Sequence, residues 1–298
     1  MSRSVSLAFA TACMGIALYA VMDALMKGLG LAIGAYSALF WRLAAGTAIA
    51  VPLYLVSRPA FPPASVVKVH LARSAVVAVM AIAFFWGITK VPLAEAIALS
   101  FIAPLIALGL AGVFLKERIG ARSVMGSLLG LGGVGVILLG RLEGTHAPGA
   151  LLGMGAVLLS AVFYAVNLVI ARHQAQLAKP LEIAAFQNVF VLAIFCPLAP
   201  LLLVVPAADH WPAIGGAAGL AIVSLLLLSW AYARAEAQVL LTVEYTAFIW
   251  ASLMGWWFFG ETLTLATLAG TFLIVAGCLL AVRGRAAGAA PEIEAALT

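Results

Sequence analysis

The chain has 298 residues, 65% of them hydrophobic and only 9% charged, with a formal net charge of +5. A soluble domain is nearer about 45–50% apolar and about 25% charged, so a water-facing globular surface is excluded for want of polar side chains to cover it. In lipid the backbone must be satisfied within the span, as a helix or a closed barrel; continuous apolar runs of about 20 residues point to helices.

Ten spans are predicted in chain order. The first, 5–27, could be mistaken for a leader after Arg3, but it is long enough to span and has a counterpart in the second half. Thr11, Gly15, Tyr19 and Asp23 recur every four residues and form one polar stripe. An acid within a span costs at least about 2.5–3.5 kcal/mol, so Asp23 should face a cavity or a partner; Lys27, four residues on, is one such partner. The second span, 33–56, holds Phe40-Trp41-Arg42, with Arg42 expected to pair with an acid elsewhere or with backbone carbonyls. The third, 69–88, ends in Phe84-Phe85-Trp86. The fourth, 93–115, carries Glu95 at its outer mouth, where solvation is expected, then Phe101 and Pro104. Proline lacks a donor and should kink that span. The fifth, 121–140, has the glycine row Gly126/Gly130/Gly133, a small-residue pattern that lets helices approach closely.

The sixth span, 149–171, repeats the polar stripe with Ser160, Tyr164 and Asn167. The seventh and eighth cover 182–205 and 214–233. The ninth, 239–259, carries Glu244 and, one turn on, Phe248; it ends in Trp256-Trp257-Phe258-Phe259, an interface belt. The tenth, 263–283, holds Gly270 and Gly277. Glu117 and Glu261, just before spans five and ten, would favour the helix dipole and cap free N–H groups. The tail, 287–298, is Ala-rich and expected to be disordered.

Positive charge in short loops sets orientation. With the N-terminus inside, inner segments hold Arg3, Arg58, Lys68, Arg73, Lys116, Arg118, Arg122, Arg172, Lys179, Arg234, Arg283 and Arg285, twelve in all; outer segments hold Lys27, Lys90 and Arg141. Both termini are therefore expected in the cytoplasm, and the protein in a bacterial inner membrane.

An internal repeat divides the chain. A shift of 144 aligns Glu117 with Glu261, Gly126 with Gly270, Gly133 with Gly277 and Trp86 with Trp230; near the starts a shift of 145 aligns Tyr19-Ala20 with Tyr164-Ala165. The expected units are 1–145 and 146–286. Each has five spans, an odd number, so the two must insert in opposite senses, a recurring transporter plan with the site between the halves. The fold class expected is an all-α integral membrane protein of ten transmembrane helices in two inverted five-helix repeats.

The run from Val91 to Gly140, with Pro104, Glu117 and its glycine-spaced fifth span, resembles the EamA-type domain of the drug/metabolite transporter superfamily, and Phe40-Trp41-Arg42 resembles its second-span arginine. The second half departs, with Phe248 where a proline and Gln187 where an arginine would stand. Within that superfamily the chain is most similar to exporters of amino acids, the aromatic amino-acid exporters included. The resemblance implies a central cavity built from spans one, three, four, six, eight and nine, with spans five and ten at the periphery.

The substrate-binding candidates are Tyr19, Asp23, Trp86, Phe101, Tyr164, Asn167, Glu244 and Phe248. Carboxylates can take an amine or carry a coupling proton; aromatic rings can stack on a flat or apolar solute. No phosphate-binding loop or HExxH stands in the sequence, and neither the four histidines nor Cys13, Cys196 and Cys278 have ligand spacing. No enzyme, metal or cofactor is expected. Export of amino acids or related metabolites by alternating access is the leading expectation, proton-coupled through Asp23 or Glu244 or else passive, by a monomer or homodimer. Multidrug or nucleotide-sugar transport is the second; a membrane enzyme or receptor-like bundle is a remote third.

Overall fold

The computed structural model describes residues 3–57, 61–103, 105–107, 121–142, 149–232, 243 and 245–286. All regular structure among them is helical: α1 (Arg3–Ile33), α2 (Ala35–Val56), α3 (Ala64–Gly87), α4 (Leu93–Ser100), α5 (Ala121–Leu142), α6 (Ala150–Ala175), α7 (Pro180–Phe195), α8 (Trp211–Tyr232), α9 (Ala247–Phe259) and α10 (Leu265–Ala286). α7 runs on through a 3₁₀ turn and a last turn, Ala199–Leu202. Each predicted span has its helix. α1 continues past Lys27 to Ile33, and α3 starts at Ala64 rather than 69. Pro104, Glu117, Glu244, the predicted tail, the second half of span four and the start of span nine lie outside the described residues. Among the described residues, α1, α2, α3, α6, α8 and α7 with its continuation are long and apolar enough to cross a membrane; the other four are shorter apolar helices.

Glycine punctuates the chain where a left-handed residue is needed. Gly34, at φ +81°, turns the chain from α1 straight into α2, and Gly260, at φ +63°, closes α9.

Helix packing carries the signature of a two-fold. Between helices that are not neighbours in the chain, the main contacts are α1 on α8 and α3 on α6, α1 on α9 and α6 on α4, α3 on α7 and α8 on α2, and then α2 on α7, α4 on α9 and α5 on α10. Exchanging the first five helices for the last five turns the first three couples each into itself and leaves the last three pairs unchanged. The glycines show the sense of the pairing. Gly133 abuts the Gly270 carbonyl, Gly277 abuts the Gly126 carbonyl, and Gly140 abuts Ala266, none with room for a Cβ. As one helix ascends the other descends, so α5 and α10 are antiparallel. Repeat-equivalent helices running in opposite senses make the repeat inverted.

Side chains explain the pairing. The main apolar core draws on both repeats, from Met26, Leu39, Ile88 and Leu99 to Met154, Ile214 and Ile274. α5 and α10 leave Met125, Leu128, Leu131, Leu268 and Phe272 exposed, as helices facing lipid do. Ser160 donates to the Met80 carbonyl at 2.8 Å, fixing α6 to α3. Trp41 donates to the Val204 carbonyl at 2.9 Å and packs edge-on to Trp211 at 5.1 Å, tying α2 to the chain between α7 and α8.

Candidate functional site

Helices α4 and α9 are irregular where they near the two-fold. The N–H groups of Phe101 and Ile102 bond three residues back rather than four, and so do those of Thr246, Phe248 and Ile249. Phe101 and Tyr245 are equivalent in the repeat, and their rings meet edge-on at 5.3 Å between centroids. The axis passes between these two helices.

Elsewhere among the spanning helices stand charged groups that an apolar span does not tolerate without reason. Tyr19 and Asp23 of α1 and Arg42 of α2 are each partly buried. Arg42 acts electrostatically on both Tyr19 and Asp23, yet forms no direct ion pair with Asp23. Its guanidinium lies over the Phe85 ring, 5.8 Å from the centroid. Its Nε is buried and has no hydrogen-bond acceptor among the described residues, a state that costs about 1–3 kcal/mol and more for a charged donor. Among the described residues, neither the acid nor the backbone carbonyl expected for Arg42 is hydrogen-bonded to it.

A second arginine is occupied. Arg73 of α3 donates from Nε to Asn167 Oδ1 of α6 at 2.8 Å, and from Nη1 to Gln174 Oε1. Gln174 bonds His70 Nδ1 at 2.6 Å, and His70 Nε2 meets Glu182 of α7 at 3.1 Å. The His70 ring stacks on Phe186, 4.7 Å between centroids. His70, Asn167 and Gln174 are buried. This chain of polar groups joins α3, α6 and α7, and Arg73 also acts on Tyr19 and Tyr164.

At the opposite ends of the helices is another buried ion pair. Lys27 donates to Glu261, and also to the Val91 carbonyl at 2.6 Å; the other Glu261 oxygen accepts the Leu93 N–H at 2.7 Å. Glu261 thus caps α4, not α10 as its position suggested. It straps the chain after α9 to α1 and α4.

The sequence candidates fall into three groups. Tyr19, Asp23 and Tyr164 gather near the arginines. Asn167 is buried against Arg73, and Phe101 is half-buried against Tyr245. Phe248 packs on the main core and also lines an apolar furrow of about 490 Å³ along α9, whose lining includes none of the arginines. Trp86 is 39% exposed, with Lys90 over its ring at 5.9 Å, the placement of an interface aromatic. Glu244 lies outside the described residues. Glu95 is 1% exposed, so burial replaces the solvation expected for it. The two polar stripes pack on different helices: Gly15 of the first meets Leu228 of α8, and Ser160 and Asn167 of the second face α3.

His70, Arg73, Gln174 and Glu182 escaped the sequence reading. Arg73 falls inside the predicted span three, 69–88, although the charge count places it with the inner segments. The signal was there in His70 and Arg73, three apart on one helical face.

The sequence model of the EamA-like transporter family matches residues 6–139 and again 151–283. The chain belongs to the EamA-like transporter family. Its two matches coincide with the two helix repeats. Relatives of this EamA-like chain include the pseudopaline exporter CntI of Pseudomonas aeruginosa strains UCBPP-PA14 and PAO1, each 28% identical over 88% of this chain and 90% of its own. A solved crystal structure matches 97% of this chain and all of its own, with a TM-score of 0.62 and 21% identity, a likeness of fold. Membership makes this chain a multi-pass membrane transporter of two five-helix repeats.

Proposed function

We propose that this EamA-like chain exports a small amphiphilic metabolite, of the amino-acid class, across a bacterial inner membrane by alternating access between its two repeats. One observation carries the reading: a partly buried group of Tyr19, Asp23 and Arg42, in electrostatic reach of one another, sits within the spanning helices α1 and α2. Ionisable groups there mark a solute pathway, and inverted repeats place such a site between units that rock against each other. The direction is supported by the relatives, which are exporters. Aromatic amino acids are one substrate class within the reading, favoured by the Phe85 ring beside Arg42.

Both termini are assigned to the cytoplasm. The Lys27–Glu261 strap then lies on the outer side and the Arg73–Gln174–His70–Glu182 chain towards the inner side, one polar closure for each end of the path.

Growth on toxic amino-acid analogues tests the substrate class. Cells expressing the chain should tolerate several such analogues better than cells expressing Arg42→Gln, with no gain against cationic dyes. Resistance to dyes alone would replace metabolite export with multidrug efflux.

A further inference from the structure

Arg42 and Arg73 use their donors differently. The Arg42 guanidinium carbon lies over the Phe85 ring at 5.8 Å from its centroid. Its Nε is buried and unmatched among the described residues. Carboxylate is the acceptor whose planar, two-oxygen geometry matches a guanidinium edge. Arg73, by contrast, already spends its Nε and one Nη on Asn167 and Gln174. Asp23 lies within electrostatic reach of Arg42 but does not touch it, so the two groups stand apart, each partly buried. The second repeat does not duplicate them: Gln187 and Leu168 occupy the equivalent positions. The site is therefore polarised, with one cation and one anion fixed at separate points of the first repeat.

We propose, resting on the transport reading above, that Arg42 receives the carboxylate of the solute and Asp23 its ammonium, so that the cavity selects zwitterions over solutes with either charge alone. Two matched contacts favour a zwitterion, whereas an amine meets uncompensated repulsion from Arg42 and a simple acid meets it from Asp23.

Three probes with one ring separate the charges: L-phenylalanine, 3-phenylpropionate and 2-phenylethylamine. Their affinities are measured by calorimetry on the full chain in nanodiscs, with empty nanodiscs as the blank. The intact protein should bind phenylalanine at least about tenfold tighter than either single-charge probe. Arg42→Gln should weaken phenylalanine and phenylpropionate by about tenfold or more and leave phenylethylamine equal or tighter. Asp23→Asn should do the reverse, weakening phenylethylamine and tightening phenylpropionate. These opposite signs cannot come from misfolding, which weakens all three. Equal losses for every probe, no preference for phenylalanine in the intact protein, or unchanged phenylpropionate binding in Arg42→Gln would overturn the assignment. The predicted pattern without phenylalanine flux in vesicles would uphold the receptor and sink the transport reading instead.

Discussion

Removing one partner from a buried polar chain strands the others, and the Arg73 chain offers a clean case. In Gln174→Leu the volume is nearly kept, but an Arg73 N–H and His70 Nδ1 lose their partner. About 1–3 kcal/mol of stability should go with it, lowering the thermal midpoint in detergent by several degrees; an unchanged midpoint would show that the chain is not structural. Lys27 and Glu261 answer a sharper question. Lys27→Met leaves the Glu261 carboxylate largely buried and unpaired, a loss of about 3–5 kcal/mol. Adding Glu261→Gln removes the stranded charge, so the double variant should be more stable than the single one. If the double variant is the weaker of the two, the strap owes its strength to Glu261 capping α4 through Leu93 rather than to the ion pair. Asp23 and Tyr19 were legible in the sequence as breaks in an apolar run. Glu261 was legible only as an acid near a helix start, because sequence distance hides that its helix N-terminus belongs to α4.

The α5–α10 pair tests the inverted repeat at the level of the helix. Gly133 and Gly277 occupy equivalent positions and meet the carbonyls of Gly270 and Gly126, also equivalent. Gly133→Val and Gly277→Val should therefore damage the protein alike, by forcing the helices apart, and both should lower the yield of monodisperse protein in detergent. Gly132→Ala and Gly135→Ala face open space and should be neutral or slightly stabilising. Damage from one valine variant alone would break the symmetry argument. Helix positions were readable here because a hydrocarbon-spanning run has a length set by the bilayer, and the repeat because glycine spacing survives where packing demands it. Partner choice was not: the polar stripe of α6 reads as cavity lining, yet Ser160 and Asn167 face α3. Period alone gives a face, not its neighbour.

At the scale of the whole molecule, topology and transport remain to be measured together. The charge count that orients the chain loses Arg73, held within α3, from the inner side and Lys27, buried within α1, from the outer, and so stands at eleven to two. In a cysteine-free background, Asp209→Cys, at an 80% exposed side chain between α7 and α8, should react with an impermeant maleimide from outside intact cells. Ser65→Cys, exposed at the start of α3, should react only after permeabilisation. The reverse pattern would invert the assigned orientation and exchange the roles of the two polar closures. The central claim is that the repeats carry a solute across the membrane through a charged site within the spanning helices. Counterflow tests it most directly: purified protein in liposomes preloaded with an unlabelled amino acid, given the same radiolabelled amino acid outside, across an amino-acid panel. The account predicts a transient overshoot of label for at least one zwitterionic member, absent from empty liposomes and from Arg42→Gln vesicles. No overshoot for any member, from protein that remains folded and monodisperse, would contradict it.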